Sequence, residues 1–377
     1  MTTTSTTTTS GPPPPTAPPR AAGRFPRWPY AALVGIVIVV FLPGFLGQIV
    51  FMRDPAHWTF PMRTLVRQAL LAGRLPSWDP TQALGFPLLA DPLVGLLYPP
   101  NLLFLLPNPA WMVTLDSLLH VLIGALGVVA LLRRLGVAGV AALVGGVAWA
   151  LSGITVGMWT AGLLLQAMAW MPWAALAGRQ LGVLATTARS WRQAMPTVAL
   201  AAVPTAMGLL QGEIFVATMG VLLALAFALF VVVHDKTSSE TLPPLTRCKR
   251  LVMFGGAALV LAAALGAVNV LPARAAAAHT ERSSPLPLSL AEVWSFAPLR
   301  LVEMVAPGAM GHPLRGFAGG PFVGDPTMGG ETLTFSVYLG ATVLALALLA
   351  FGRARPLAWF LGGVAAAALL NAMGQHL

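Results

Sequence analysis

The sequence predicts an all-α protein: a polytopic bundle of about nine membrane-spanning helices carrying two large external loops. Composition is the first reason. Only 9% of the 377 residues are charged and 57% are hydrophobic, at a mean hydropathy of +0.78, whereas a soluble domain carries about 25% charged residues. Segmentation is the second. Runs such as Ala31–Phe51 and Leu251–Pro272 supply the ~20 apolar residues that a helix needs to cross hydrocarbon. Charge placement is the third. The formal balance of +10 forms no basic patch with interleaved aromatics, and the basic residues sit at the ends of apolar runs, where the positive-inside rule expects them. This argues against nucleic acid as a partner and for membrane lipid as the main solvent.

Residues 1–28 read as a cytoplasmic tail. Positions 1–20 are Thr/Pro low complexity, which cannot bury apolar surface and should be disordered. Arg20, Arg24 and Arg27 then precede the first apolar run. That run is too long for a signal peptide and lacks a small-residue cleavage site, so 31–51 is expected to remain as the first helix, N-terminus inside. The membrane domain fills 29–377. Its further spans are expected at 110–132, 137–157, 162–178, 195–212, 214–234, 251–272, 334–352 and 356–374. The apolar segment Leu102–Leu106 is short and flanked by Pro99, Pro100 and Pro107, so it reads as re-entrant or interfacial.

Fourteen of the 22 basic residues, among them Arg133, Arg134, Arg192, Arg247, Lys249 and Arg250, fall in the short segments this topology puts inside. The lone Cys248 lies there too, without disulfide or metal-ligand spacing, and reads as incidental. Most carboxylates lie on the opposite face. Acidic residues contribute little to orientation, so their concentration outside points to a site. Two outside segments, 52–109 and 273–333, greatly exceed the ~15 residues beyond which loops are usually functional or disordered. They carry Trp58, Trp78, Tyr98 and Trp294 and are expected to fold onto the membrane surface. Within the first, TLVRQALLAG has helical spacing and ends at Gly73. No internal repeat is evident.

Asp54 follows the first span almost directly, with Arg53 and His57 beside it. A carboxylate at the membrane–water boundary suits a general base acting on a hydroxyl acceptor; the alternative is an ordinary interfacial Asp solvated beside Arg53. Asp79 and Asp91 each precede a proline, which favours turn chemistry. Tyr98 could be a membrane-belt aromatic. Asp116 and His120 lie four apart in one span and share a helical face. They form a structural pair, a proton path or the floor of a lipid groove. In the second loop Arg274, Arg282, Arg300 and Arg315 accompany Glu281, Glu292 and Glu303. Arginine forks could hold a phosphate, or the loop is a solvated mixture of charge. The acidic loop residues could hold a divalent cation, though their spacing specifies none. Zinc, P-loop and dinucleotide patterns are absent from the sequence.

The string PMR…GRLPSWDPTQALGFPLLADPLVGLLYPPNLLF resembles the first external loop of bacterial YfhO-type membrane proteins, which are counted among GT-C-like glycosyltransferases. The resemblance continues through LLRRLGV…AALVGGVAWALSG at 131–153, QAMAWMPWAAL at 166–176, the 282–313 stretch and SVYLG at 336–340, covering most of 50–375. It implies a GT-C-like fold and a polyprenyl-phosphate sugar donor at the inner (plasma) membrane. The acceptor would be a cell-envelope polymer or lipid. By position it places the family's first-loop acid on Asp54 as catalytic residue, the ADP motif on Asp91, the YPPN motif on Tyr98 and Asn101, and the serine-aromatic-proline stretch on Ser295 to Pro298. Arg282 falls in the resembling part of the second loop and becomes the first phosphate candidate; Arg53, His57 and Glu213 complete the expected substrate-binding set. The chain departs from the family in having Gln211-Gly212-Glu213 where a Gly-His-Pro-Gln-like turn is common. It also ends at Leu377, where family members continue with further spans and an external domain. The competing expectations are a transporter or flippase of lipid-linked substrates, and a non-catalytic membrane assembly partner.

Overall fold

The computed structural model describes residues 26–50, 53–81, 84–137, 139–188, 190–234, 242–280, 283–312, 316–317, 333–352 and 356–376. The chain is a multi-pass all-α membrane protein. Among the described residues six stretches are long and apolar enough to cross a membrane: Pro109–Arg134, Val140–Thr187, Trp191–Gln211, Ile214–His234, Pro244–Ala277 and Pro356–His376. Extended pairing among these residues is confined to a two-residue ladder, Gly311–His312 against Gly316–Phe317, and a bridge between Asp79 and Phe86.

Two expected spans need correction. The first helix, α1 (Trp28–Val40), breaks at Phe41 and continues only through α2 (Leu42–Phe45), not to Phe51. Pro43 has no N–H to give the preceding turn, which breaks the ladder there. The expected 334–352 span begins only at Ala341. Residues 333–340 are instead a non-helical segment laid over the bundle: Gly153 N–H donates to the Tyr338 carbonyl at 2.7 Å, and Thr334 donates to the Ser336 carbonyl at 3.1 Å.

In the first long loop a π-helical turn Pro55–Thr59 leads into α3 (Phe60–Leu71), which buries Met62, Arg63 and Val66 and ends before Gly73. This is the surface helix expected from the sequence. A 3-10 helix at Pro99–Leu105 then carries the chain into α4 (Pro109–Arg134); Asn101 and Phe104 of that helix face inward while Leu102 is exposed.

The 48-residue apolar stretch Val140–Thr187 is two legs, as the two expected spans there require. The helix α5 (Val140–Ala150) runs against α4: a Cβ on Gly124 would meet the Trp149 ring at 2.1 Å, and one on Gly145 would meet Leu132 at 2.3 Å. After α6 (Gly153–Gly157) and a 3-10 turn, α7 (Gly162–Met168) and α8 (Met171–Thr187) run back along α4. Gln166 there reaches Asp116, and Trp173 Nε1 donates to the Ile123 carbonyl at 2.8 Å.

The remaining spans pack on α8. Its Gly178 and Gly182 lie against the backbone of Ala224 and Ala228 in α10 (Ile214–His234), so that a Cβ at Gly178 would sit 1.9 Å from the Ala224 carbonyl oxygen. Small residues four apart permit this close approach between membrane helices. The helices α9 (Trp191–Gln211) and α11 (Pro244–Ala277) run alongside each other, joined by Trp191 on Phe254 at one end and Asn269 on the Leu209 carbonyl at the other. Beyond α12 (Leu288–Ala291) come α13 (Ala341–Phe351) and α14 (Pro356–Met373); Phe360 of α14 stacks on Phe230, and its Ala372 carbonyl accepts from Phe296 N–H.

These directions have one consequence for topology. Arg133 and Arg134, Arg192, and Arg247, Lys249 and Arg250 all gather at one end of the bundle, and Arg133 stacks on Tyr30 at 4.9 Å. The described parts of the two long loops gather at the other. Packing alone produces this segregation.

Candidate functional site at the loop end of the bundle

Asp54 stands where the start of the first long loop meets the end of the second. The preceding residue, Arg53, adopts a left-handed backbone at φ 52°, a strained conformation for a side chain with a Cβ. Its guanidinium donates to the Leu333 carbonyl at 3.3 Å and lies 5.4 Å from the Phe335 ring, so it ties the start of the first loop to the end of the second. Asp54 then opens the π-helical turn that carries His57. Strained residues and π turns concentrate at functional sites. Asp54 is exposed, yet the protein around its carboxyl raises its pKa by desolvation, a rise opposed by Arg53 and His57. The result is a carboxylate that binds a proton more readily than an ordinary Asp does.

Others of the candidates gather around Gly212. Asp91 caps a 3-10 turn by accepting from Leu93 N–H at 2.9 Å, and Asp79 accepts from the N–H and hydroxyl of Thr81 at 2.8 and 2.6 Å. Both aspartates therefore carry the turn chemistry that their Asp-Pro setting suggests. The 91–101 segment docks on the turn between α9 and α10. Gly212, at φ 102°, has no room for a Cβ, which would fall 2.1 Å from the Pro92 carbonyl oxygen. Asn269 clamps the same carbonyl, at 3.1 Å, from α11. Glu213 is half-buried beside this contact.

Beneath the docked segment runs a continuous polar chain. Trp170 Nε1 donates to the Tyr98 hydroxyl at 2.7 Å, and the hydroxyl lies 2.7 Å from His120 Nε2. His120 Nδ1 is 2.7 Å from the Asp116 carbonyl oxygen and 3.3 Å from its carboxylate. A phenol has one proton, so the arrangement that fills every position has Tyr98 donating to Nε2 and Nδ1–H donating to the carbonyl. From the Asp116 carboxylate the chain continues through Gln166 Nε2 at 2.6 Å, then Gln211, to Glu213 N–H, which donates to Gln211 Oε1 at 3.0 Å. Tyr98, His120 and Gln211 are 0% exposed and Gln166 is 1% exposed. Burial also raises the phenol pKa of Tyr98 well above its ordinary range, which keeps it a donor.

Tyr98→Phe tests this arrangement. It keeps the ring and leaves Trp170 N–H and His120 Nε2 without their partner, so stability should fall by about 1–3 kcal/mol. Thermal unfolding in detergent would read this as a lowered Tm; an unchanged Tm would mean that the hydroxyl is dispensable to the fold.

The burial of four polar groups escaped the sequence reading. Gln166 and Gln211 were recoverable as isolated amides inside apolar runs, where a polar group must find a partner. Arg63, just before the TLVRQALLAG string, carries no expectation of its own. It is buried, donating to the Val94 carbonyl and lying 5.5 Å from the Phe104 ring, with Nε and Nη2 unpartnered. Burial lowers its pKa to about 10, against the opposing pull of Asp116, Tyr98 and Asp91, so it stays cationic at neutral pH. Arg300, read as part of a solvated loop or a phosphate clamp, is 4% exposed. It pairs with Glu303 at 2.9 Å and donates to the Thr334 carbonyl at 2.9 Å, fixing the second loop from within.

Arg282 and Glu281 lie outside the described residues, as does Arg315. Among the described residues no three His, Cys, Asp or Glu side chains cluster closely enough to hold a metal ion. No family model matches the chain, and neither does any curated protein or solved structure.

Proposed function

We propose that this integral membrane protein is a glycosyltransferase of GT-C type, transferring sugar from a polyprenyl-phosphate donor to a cell-envelope acceptor on the outer face of the plasma membrane. The observation that carries the reading is the setting of Asp54. It lies at the mouth of the bundle, next to a strained Arg53 that joins both loops, and its carboxyl has a raised proton affinity. A general base works best when its pKa moves toward the working pH. In the reaction Asp54 takes the proton of the acceptor hydroxyl, whose oxygen bonds to the anomeric carbon as the bond from that carbon to the phosphate oxygen breaks. The polyprenyl phosphate departs with the bonding pair, and Arg53 and Arg282 balance its charge. The resemblance of the first outer loop to YfhO-type proteins supports the same assignment. Purified protein incubated with a panel of polyprenyl-phosphate sugars and envelope acceptors should consume at least one donor; a panel left intact would count against transfer.

The orientation belongs to this proposal. Collected at one end, the arginines and lysines support a cytoplasmic position for that end and for the N-terminus, by the positive-inside rule. Ser77 lies exposed in the first outer segment and Cys248 exposed at the basic end. A membrane-impermeant maleimide applied to intact cells should label Ser77→Cys and spare Cys248. Labelling of Cys248 alone would invert the topology.

A second reading, a transporter of lipid-linked substrates, draws on the polar chain from Trp170 to Glu213, because intramembrane polar residues often line substrate or proton routes. Transport moves the donor intact, and that separates the two readings.

A further inference from the structure

A large cavity runs from the basic end of the bundle, opposite Asp54, up to Trp170, whose indole also donates to the Tyr98 hydroxyl. It is a groove of about 960 Å³ where α4 and α9 both lean on α8. Trp173, Leu176, Leu200 and Pro204 give it apolar walls, and Arg133 and Arg134 stand at its basic end. Two sequence features shape it. Pro204 lies inside α9 and can give no N–H to the Leu200 carbonyl one turn earlier, which weakens the helix along the groove wall. Arg133 is held at the rim by stacking on Tyr30 of α1 at 4.9 Å. Leu200 is 71% exposed, so the groove opens sideways, toward hydrocarbon, and not into water.

We infer that this groove binds an anionic phospholipid from the leaflet at the basic end, its phosphate on Arg133 and Arg134 and an acyl chain along the Trp173–Leu200 walls. Charge selects the occupant. Apolar walls alone accept any acyl chain, but two arginines at the mouth of an interhelical groove favour a headgroup with net negative charge over a zwitterionic one. Basic pockets between membrane helices on the cytoplasmic side hold acidic headgroups by this physics. The guanidinium fork adds bidentate hydrogen bonds to phosphate oxygens. Gln180, also in the lining, offers an amide donor to the same headgroup. The inference does not rest on the proposed transfer.

The test uses the full chain in detergent, titrated with phosphatidylglycerol or phosphatidylcholine of identical acyl chains, and read by native mass spectrometry and thermal unfolding. Wild type should retain one phosphatidylglycerol in preference to phosphatidylcholine by roughly tenfold or more, with a matching rise in Tm. The double variant Arg133→Gln/Arg134→Gln should lose the preference while still taking up either lipid weakly. Leu200→Trp keeps both charges and fills the groove, so it should lose the retained lipid with the arginines in place. Equal retention of the two lipids by wild type would overturn the inference. So would a preference that survives in the double variant or in Leu200→Trp.

Discussion

Replacement of Asp54 by asparagine is expected to lower sugar transfer by roughly 10²–10⁴-fold, the range for loss of a general base, with the fold intact. The side chain is exposed and opens a turn without capping it, so the isosteric amide removes proton affinity and little else. The pH profile supplies a second reading of the same group. Desolvation raises the Asp54 pKa, and a base works only when deprotonated, so activity should fall as pH drops through a pKa above that of an ordinary Asp. Arg53→Gln removes a charge that opposes this rise and should move the acidic limb further up. A profile unmoved by Arg53→Gln would detach the limb from Asp54. Transfer at the parental rate by Asp54→Asn would end the assignment, and Asp91 would be the next carboxylate to test.

The largest effect on stability is expected at Gly212. Alanine there meets two penalties at once: a left-handed backbone at φ 102°, and a Cβ 2.1 Å from the Pro92 carbonyl oxygen. Left-handed geometry costs a residue with a Cβ about 1–2 kcal/mol, and overpacking against an immobile backbone atom costs typically 1–3 kcal/mol. The sum, roughly 2–5 kcal/mol, should lower Tm markedly. It should also free the 91–101 segment from the α9–α10 turn, which protease sensitivity between 91 and 101 would report. An Ala variant as stable and resistant as wild type would mean that the two elements do not depend on this contact.

The sequence made the spans legible because lipid imposes a length requirement that few residues can disguise. Runs such as Ile214–His234 have no polar residue to interrupt them beyond Thr218, and the helix follows the run from end to end. The first and eighth expected spans misled for local reasons. Pro43 breaks one ladder, and in the other the apolar residues around Val337 bury against the outer surface of the bundle in non-helical form. Asp79 and Asp91 were legible as turns because the signal is a dipeptide. Asp116 and His120 were legible as a pair because four residues is one helical turn. Gln166 lies 50 positions from its partner Asp116, and Asn269 lies 177 from Pro92; no local pattern encodes such distances. Arg63 and Arg300 illustrate the opposite failure. Each interrupts a mostly apolar stretch, PMRTLV and PLRLVE, yet only the packing of other elements over them makes them buried charges.

Transfer and transport are separated most directly by following the donor itself. Reconstituted in vesicles, the protein would be given a polyprenyl-phosphate sugar labelled in both sugar and phosphate, together with a hydroxyl acceptor on the side of the Asp54 loop. Glycosyl transfer predicts that the two labels part, with the sugar on the acceptor and the phosphate still on the lipid, and that Asp54→Asn abolishes the separation. If the labels stay together while the intact donor crosses between leaflets, and do so equally in Asp54→Asn, the protein moves lipid-linked sugar and does not transfer it.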